Sequence, residues 1–337
     1  MKNYILVIAA IIGLCHSCKE NSDTKFRNEN VGGALGTSYS IISISSEKLD
    51  LEKDIDSVFA VINHSLSTYI PESDISRINK GDSTIAVDKM FQEVFSLSKS
   101  IHKETNGFFD PTVGTLVNAW GFGPERQISM DSLKIDSLLN FVGLDKVSLD
   151  DSNHVVKANA SIYLDFNAIA KGYAIDRLAA MLDAKGVENY LIEVGGELVA
   201  KGKNTIKDKF WVVGIDDPEE QMNRATKILI HLNDRALASS GNYRKYRIDE
   251  ETGKKFVHTV NPKTGYTQVS NTLAVTILAD NCATADAYAT ALMAMNLNDA
   301  FKLVEENTML EAYIVYLDEN GDTKEFSTKG FKSFVVK

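Results

Sequence analysis

Two side chains with oxygen atoms, Asp286 and Thr290, lie four positions apart in the alanine-rich segment 283–290. Residues at this spacing share one face of a helix, so both oxygens would point the same way. Mg²⁺ prefers such hard oxygen ligands and usually adds water and substrate phosphate to them. A second interpretation is that Asp286 offsets the positive helix N-terminus while Thr290 bonds back to a carbonyl. Spacing alone favours the second interpretation.

Another candidate site is segment 163–173, in which a strand is expected to run into a helix through a polar turn. Junctions of this kind present backbone groups and a helix N-terminus to a ligand. Asp165 could accept a hydrogen bond from a base or a ribose, and Lys171 could meet a phosphate. The alternative is that Asp165 or Asn167 is a simple helix N-cap.

A third candidate is segment 258–265, in which a strand ends in a turn that begins with His258 and contains an Asn-Pro pair. We pair it with segment 239–244, which also carries small polar residues. A histidine beside such a turn titrates near neutrality and could act as a general base. A lone histidine is more often a structural residue, so the motif alone does not decide.

Several classes of site are excluded by the rest of the sequence. The six histidines are scattered, and none is spaced from a cysteine or another histidine as zinc ligands are. The sequence has no Gly-x-Ser-x-Gly elbow, no P-loop and no Gly-x-Gly-x-x-Gly after a strand. A net charge of −10 argues against binding nucleic acid, so no nucleic-acid partner is expected.

The elements that must position these residues indicate an α+β fold with mostly antiparallel sheet, in one domain with two interleaved lobes. The fold is expected to begin near Val31. Apolar spacing predicts helices over 51–66, 89–106, 169–185 and 283–295. The β-prone runs are 38–45, 162–164, 190–194, 211–215, 227–232, 256–260, 273–278, 312–317 and 331–336.

The N-terminus has the pattern of an export signal. The apolar run 4–14 is too short to span a bilayer but suits a signal-peptide core, so residues 1–17 are interpreted as a signal peptide. Ser17-Cys18 and the polar stretch after it resemble a bacterial lipobox, which predicts a lipidated Cys18 and a flexible tether over 18–30. The alternative is an ordinary cleaved signal with incidental cysteines. Cys282 would then be alone in the body, so no disulfide is expected.

Nine ordered blocks of the chain resemble the FAD:protein FMN transferases, the ApbE-type flavin transferases, over nearly all of 31–337. The resemblance implies an ApbE-like fold and a flavin transferase catalytic domain over that range. The blocks are Leu35–Thr37, Leu66–Tyr69, Gly107–Gly114, Trp120–Pro124, Asp165–Gly172, Gly195–Gly196, Ser240–Arg244, His258–Gly265 and Ala283–Thr290.

This resemblance assigns roles to individual positions. The positions that it places in the FAD site are Leu35, Tyr69, Phe108, Phe109, Asp110, Asp165, Lys171 and Val260. Those that it places around Mg²⁺ are the Ala168 carbonyl, Asp286, Ala289 and Thr290. His258 and Asp286 are the implied catalytic residues. Three positions depart from the usual pattern: Leu35 replaces methionine, Ala289 replaces an aspartate of some members, and Asn261 replaces aspartate.

The implied activity is Mg²⁺-dependent transfer of FMN from FAD to a threonine or serine hydroxyl of an exported protein, with release of AMP. The implied partners are FAD and exported acceptor flavoproteins of electron-transfer complexes. The enzyme would be held at the periplasmic side of a bacterial membrane by the lipid on Cys18 alone. Two alternatives remain: a FAD pyrophosphatase that releases free FMN and AMP, and a non-catalytic FAD-binding periplasmic lipoprotein.

Overall fold

The computed structural model describes residues 24–220, 225–242, 246–248, 255–267 and 270–337. The predicted signal peptide and Cys18 lie outside the described residues, as do Tyr243 and Arg244 of one motif block. Among the helices of the described part, none is long and apolar enough to cross a membrane.

The described residues form fourteen strands, of which eight make one large antiparallel sheet. The strands are β1 (Phe26–Ala34), β2 (Thr37–Ser45), β3 (Val147–Leu149), β4 (Val155–Lys157), β5 (Asn189–Val194), β6 (Glu197–Lys201), β7 (Trp211–Asp216), β8 (Thr226–Leu232), β9 (Arg235–Gly241), β10 (Tyr246–Ile248), β11 (Lys255–Val257), β12 (Thr272–Ala279), β13 (Glu311–Leu317) and β14 (Thr323–Ser327). The large sheet has the order β1-β2-β5-β6-β9-β12-β13-β14, and the other six strands pair as hairpins.

Helices cover the sheet and fill the segment between β2 and β5. They are α1 (Glu52–Leu66), α2 (Asp74–Asn79), α3 (Lys89–Glu104), α4 (Gly114–Ala119), α5 (Ser132–Leu139), α6 (Ala170–Ala184), α7 (Cys282–Ala294) and α8 (Leu297–Glu306). α1 forms where the sequence repeats Ile55, Phe59, Ile62 and Leu66, which places four buried side chains on one helix face. Two 3₁₀ turns, Leu144–Lys146 and Phe331–Ser333, complete the elements.

The large sheet separates two hydrophobic clusters. Successive residues of a strand point to opposite faces, and along β12 Ile277 belongs to the main cluster while Leu278 belongs to the second. The main cluster lies under α1, α3, α6 and α7, and the second lies under the β7–β8 hairpin. A third, smaller cluster joins α4 and α5 to Val260.

The mixed helix and antiparallel sheet that the sequence predicts are confirmed, and the helices at 51–66, 89–106, 169–185 and 283–295 begin and end within two residues of their predicted bounds. The fold begins earlier than expected: β1 starts at Phe26, within the predicted tether and before Val31. β1 is an edge strand that pairs only with β2, and its polar sequence has no regular apolar alternation that would have marked it.

Two predicted strands are wrong. Segment 162–164 makes only an isolated bridge at Tyr163, because the side chain of Asn79 takes up both backbone groups of Leu164, at 2.8 Å each. Segment 331–336 begins with a 3₁₀ turn, in which Phe331 is buried and stacks on Tyr313 with 5.5 Å between ring centroids. In 162–164 the apolar residues reflect burial. Segment 331–336 keeps one antiparallel bridge to β8, between Val335 and Ile230, with backbone hydrogen bonds from His231 to Phe334 (2.7 Å) and from Val336 to Leu229 (2.9 Å), but it forms no strand.

Candidate functional site

Helices α6 and α7 cross at unusually short range. A Cβ atom on Gly172 of α6 would lie 2.3 Å from the carbonyl oxygen of Cys282 at the start of α7, so this crossing requires glycine. The carboxylate of Asp176 on α6 accepts hydrogen bonds from the backbone N–H groups of Cys282 (2.7 Å) and Ala283 (2.9 Å). These contacts fix the first turn of α7 against α6.

Asp286 lies inside this crossing with 4% of its surface exposed. Its Oδ2 accepts a hydrogen bond from the Gly172 N–H at 3.1 Å. Burial raises the pKa of Asp286 to about 7, against the opposing charge of Lys171. The first turn of α7 carries no acidic residue, and the helix N-cap is Asn281, so Asp286 does not serve the helix N-terminus. A buried carboxylate in this position favours a nearby cation.

Lys171 supplies one such positive charge. Burial opposes the charged form of its ammonium, but Asp286 and Glu197 outweigh burial and raise its pKa. The ammonium donates to Oε1 of Glu197, the first residue of β6, while Oε2 of Glu197 is buried without a hydrogen-bond partner among the described residues. Glu197 has 5% of its surface exposed. The crossing therefore holds one ammonium and three carboxylates, those of Asp286, Glu197 and Asp176.

The remaining positions proposed for Mg²⁺ lie around the same helix. The Thr290 hydroxyl lies one turn after Asp286 and 3.4 Å from the Ser240 hydroxyl on β9. Ala289 is fully buried in the main cluster. Ala168 is half-buried in the turn that leads into α6. Among the described residues, no group of three or more His, Cys, Asp or Glu side chains could hold a metal. A metal in this site would depend on a mixture of carboxylate, hydroxyl and carbonyl ligands.

The turn before α6 is ordered by Asp165. Its Oδ1 accepts from the Asn167 N–H at 2.8 Å, and its own N–H donates to the Pro111 carbonyl at 2.7 Å. Burial raises the pKa of Asp165. The N-cap of α6 is Ile169, which makes no side-chain cap bond, so the simple N-cap interpretation of Asp165 or Asn167 is wrong. The Asp165 side chain therefore orders the turn without capping the helix, which is joined to the turn by the Ala170 N–H donating to the Phe166 carbonyl at 2.8 Å.

Tyr69 lies at the rim of this turn with 60% of its surface exposed. Partial burial raises the pKa of its phenol, and the charge of Asp165 adds to the effect. The neighbouring Thr68 hydroxyl accepts from the Asn167 amide at 3.2 Å. An exposed aromatic ring therefore stands beside a buried carboxylate.

Loop 107–113 packs below the same turn. Asp110 accepts from the Thr112 N–H (2.8 Å), the Thr112 hydroxyl (2.6 Å) and the Leu144 N–H (3.1 Å), and burial raises its pKa. Phe109 is buried in the main cluster, whereas Phe108 is half-buried and has the Lys263 ammonium 4.5 Å from its ring centroid. Of these three neighbours, Phe108 keeps an accessible ring.

The segment that contains His258 is held by contacts to Asn242 and to the end of α7. His258 is half-buried, and the next residue, Thr259, donates through its hydroxyl to the Asn242 side chain at 2.8 Å. Asn261 accepts from the Lys263 N–H at 2.9 Å and donates to the Ala294 carbonyl at the end of α7 at 3.2 Å. Asparagine thus orders the turn and ties it to α7.

Val260 lies in the third cluster and forms an isolated bridge with Thr267. Its side chain is 6% exposed, so it belongs to the buried interior against which the turn packs. Farther along the same loop, the Gly265 carbonyl accepts a hydrogen bond from the Trp120 indole N–H at 2.9 Å. The motif blocks at 120 and 258 therefore belong to one packed unit.

Leu35 occupies the two-residue turn between β1 and β2. Both turn residues have positive φ, 51° at Leu35 and 75° at Gly36, which suits the hairpin twist but is strained for leucine. The turn lies beside Gly195, whose N–H donates to the Ser38 carbonyl at 3.0 Å. Gly195 and Gly196 lead directly into Glu197, so this hairpin adjoins the Lys171 ion pair.

The structure thus brings Lys171, Asp286 and Thr290 to the crossing of α6 and α7, and ties the turn after His258 to the end of α7 through Asn261. Sequence reasoning missed Glu197 and Asp176. Glu197 follows a Gly-Gly turn that ends a strand, and Asp176 lies five positions after Lys171 in α6. Neither signal distinguishes them from ordinary surface carboxylates without the fold.

Comparisons with known proteins give matches over nearly the whole chain. The ApbE family model matches residues 35–314. The chain is 33% identical to the FAD:protein FMN transferase of Haemophilus influenzae, over 98% of this chain and 96% of the relative. It is 32% identical to the enzyme of the same name from Vibrio cholerae, over the full length of both.

Solved structures show the same architecture. The flavin transferase ApbE from Vibrio cholerae superposes with a TM-score of 0.81 at 30% identity, covering 92% of this chain and 100% of that one. The ApbE protein from Thermotoga maritima superposes with a TM-score of 0.80 at 30% identity, covering 93% and 100%.

Proposed function

Because the chain belongs to the ApbE family of FAD:protein FMN transferases, we propose that it transfers the FMN half of FAD to a threonine or serine hydroxyl of an exported protein, with Mg²⁺ bound and AMP released. The observation that carries this proposal is the buried Asp286 carboxylate beside Lys171 and Glu197. Burying several charges is costly unless they are paired, so this group of charges favours binding of a cation and an anionic substrate.

The residues present fit a magnesium ion. Asp286 has lost most of its water and its pKa is raised by burial, so a divalent cation would offset the cost of its charge. The Thr290 hydroxyl and the Ala168 carbonyl are also hard oxygen ligands. Ala289 offers no side-chain oxygen, so we assign that position to its backbone or to water. When bound, Mg²⁺ would neutralise charge on the pyrophosphate of FAD.

The remaining predicted residues would hold the substrate. Lys171 would meet a phosphate, since its ammonium stays charged despite partial burial. Tyr69 and Phe108 have accessible rings that can stack on flat heterocycles at little entropic cost. Leu35 would contact the flavin from the β1–β2 turn, and Asp165 would accept a hydrogen bond from a base or ribose.

Three further positions would shape the FAD site without touching the substrate. Asp110, Phe109 and Val260 are buried, and Asp110 has its oxygens engaged by Thr112 and Leu144. We therefore assign them to the walls and floor of the FAD site, where they set the shape of the loops that touch the ligand.

The chemical step is a displacement at phosphorus. The acceptor hydroxyl oxygen forms a bond to the phosphorus of the FMN half, the bridging P–O bond breaks, and AMP leaves with the electron pair. His258 would take the proton of the hydroxyl. Alignment of the reacting atoms can contribute roughly 7–11 kcal/mol, whereas one general base contributes about 10²–10⁴-fold. Positioning should therefore matter more than His258.

We also propose that the enzyme is exported and held at the periplasmic side of a bacterial membrane by a lipid on Cys18. The support is the apolar run followed by a lipobox-like Ser17-Cys18. The acceptors would then be exported flavoproteins of electron-transfer complexes, which share that compartment.

The experiment that tests the function is incubation of the enzyme with FAD, Mg²⁺ and candidate exported proteins, followed by mass spectrometry of the proteins and assay of AMP. An FMN adduct on a threonine or serine, formed with AMP, supports the proposal. Free FMN and AMP without an adduct would assign the site to a FAD pyrophosphatase. FAD that stays bound and intact would assign it to a non-catalytic carrier. Asp286→Ala serves as the negative control.

A further inference from the structure

A group of apolar side chains lies exposed around the β7–β8 hairpin, on the side of the sheet opposite α6 and α7. We call it the apolar face. Its members and their exposed fractions are Phe26 (38%), Ile206 (50%), Phe210 (49%), Val212 (46%) and Leu229 (47%). Single exposed apolar residues are normal, but a contiguous group indicates an interaction surface.

The contacts show that the face is contiguous. Phe210 and Val212 are two positions apart and alternate with the buried Trp211. Val212 pairs with His231 across the hairpin, and the His231 ring lies 6.2 Å from the Phe210 ring. Leu229 lies two positions before His231 and pairs with Gly214. These side chains therefore share the outer surface of the hairpin.

Ile206 is presented by a tight turn just before the hairpin. Asn204 and Lys209 exchange backbone hydrogen bonds of 2.8 and 3.2 Å across this turn. Lys25 donates from its ammonium to the Thr205 carbonyl at 3.5 Å, so the start of β1, where Phe26 lies, is within reach of a lysine side chain from this turn. The N-terminal end of the described chain thus meets the apolar face.

The charges around the turn are opposite to those of the whole protein. The net charge of the chain is −10. The turn nevertheless carries Lys203, Lys207 and Lys209, all exposed, against the single Asp208, and Lys25 adds a fourth lysine. Apolar side chains surrounded by lysines are typical of proteins that rest on a membrane containing anionic lipid.

The chain that precedes this face limits what can cover it. Cys18 is seven residues before Lys25. Seven residues span at most about 25 Å even when fully extended. A lipid on Cys18 would therefore keep the bilayer within that distance of Lys25 and the apolar face.

We propose that the apolar face docks on the surface of the lipid bilayer and fixes the orientation of the enzyme, with Ile206 and Phe210 inserted among the headgroups. This inference rests on the lipid anchor of the proposed function. Docking would place the face toward the membrane and the α6–α7 site on the opposite side of the sheet, toward exported partners.

The test uses the full chain carrying its lipid, reconstituted in vesicles of phosphatidylcholine and phosphatidylglycerol. A nitroxide is attached at Ile206→Cys and, as a matched control, at Met309→Cys, an exposed apolar position outside the face with 61% of its surface accessible. Cys282 is buried and should not take the label. Collision rates with oxygen, which enters bilayers, and with a water-soluble nickel chelate are then compared.

We expect the oxygen-to-nickel ratio to be severalfold higher at position 206 than at 309, and to fall when Lys207 and Lys209 are changed to glutamate. Equal ratios at both positions would overturn the proposal. So would a label at 206 that becomes immobile without vesicles as protein concentration rises, since a second copy would then cover the face. Release of the protein from the vesicles would exclude the anchor and the docking together. FMN transfer is assayed in the same samples, so that failure of docking and failure of the enzymatic proposal are separated.

Discussion

Lys171 and Glu197 form an ion pair in which only one of the two carboxylate oxygens is used. Oε1 accepts from the ammonium, and Oε2 is buried with no hydrogen-bond partner among the described residues. A buried carboxylate oxygen without a hydrogen-bond partner lowers the stability of the fold, which indicates that Glu197 has a role in substrate binding. We infer that Glu197 positions Lys171 and keeps it charged.

Glu197→Gln should raise the KM for FAD about tenfold with a smaller change in kcat, because the amide keeps the shape of the side chain but loses the charge that holds Lys171. The free energy of unfolding should fall by about 1.5–3 kcal/mol, because Lys171 loses a charged hydrogen-bond partner and keeps only the charge of Asp286. Steady-state kinetics and urea unfolding measure the two effects. Equal losses of stability and kcat, with KM unchanged, would indicate a purely structural role.

Asp286→Asn should lower FMN transfer by about 100-fold or more while leaving the metal-free protein as stable as before. The carboxylate is buried and its charged form is disfavoured, so its neutral replacement costs the fold little. Mg²⁺ at 100 times its dissociation constant should stabilise the unchanged protein by about 2.7 kcal/mol and the variant hardly at all. Thermal unfolding with and without Mg²⁺ checks this. The exposed Asp151→Asn is the matched control, and an Mg²⁺ response equal to it in the Asp286 variant would remove Asp286 from the metal site.

Gly172→Ala should destabilise the protein by about 3 kcal/mol and weaken Mg²⁺ binding, because the new methyl group would lie 2.3 Å from the Cys282 carbonyl oxygen and force α6 and α7 apart. Gly33→Ala provides the comparison, since its methyl group would lie 3.7 Å from the nearest atom outside its chain neighbours, the Thr37 carbonyl oxygen. We expect that variant to stay within about 1 kcal/mol of the original protein. Chemical unfolding and metal titration test both, and similar behaviour of the two variants would contradict the close crossing.

Asp176 should give the protein a distinct pH dependence of stability. Burial raises its pKa to about 6 from its ordinary value of 3.8, against hydrogen bonds from Ala283 and Cys282 that lower it. Between those values the folded state holds more protons than the unfolded state, so this group's contribution to stability is full below pH 3.8 and is lost as pH rises through 6.

The stability difference between the protein and Asp176→Asn should therefore shrink from about pH 4 to about pH 6, by at most about 3 kcal/mol, and then stay constant. Urea unfolding of both proteins across this range measures it. Asp82→Asn should behave in the opposite sense and at lower pH, because hydrogen bonds from Thr84 lower the pKa of Asp82 to about 2, so its contribution is constant above 3.8 and is lost as pH falls toward 2. A flat difference for Asp176 would mean that its carboxylate is better solvated than the structure shows.

The sequence predicted those parts of the site that lie within one element. Asp286 and Thr290 were found because helical spacing places them together, and Asp165 and Lys171 because a polar turn precedes a helix. Glu197 was not found, because its partner Lys171 is 26 positions away and the two meet only when α6 packs on β6. Long-range contacts of this kind leave no local pattern.

The same reason explains the errors in the elements. Leu164 looks like part of a strand because it is apolar and buried, but its backbone bonds go to the Asn79 side chain, 85 positions away. The start of the fold was predicted at Val31 and not at Phe26, because most side chains of β1 are exposed and its sequence therefore has no regular apolar alternation. Apolar periodicity therefore predicts which residues are buried more reliably than it predicts which residues pair as strands.

Every residue of α7 except Thr284 and Thr290 is buried. The helix that carries Asp286 is therefore also a central support of the main cluster, with α6, β9 and β12 packed around it. Heat should thus inactivate the enzyme and melt it in a single event, with no earlier stage in which the protein is intact but inactive. Variants selected for slower thermal inactivation should therefore have substitutions in the core around this helix. Their activity at high temperature would last longer because the fold does.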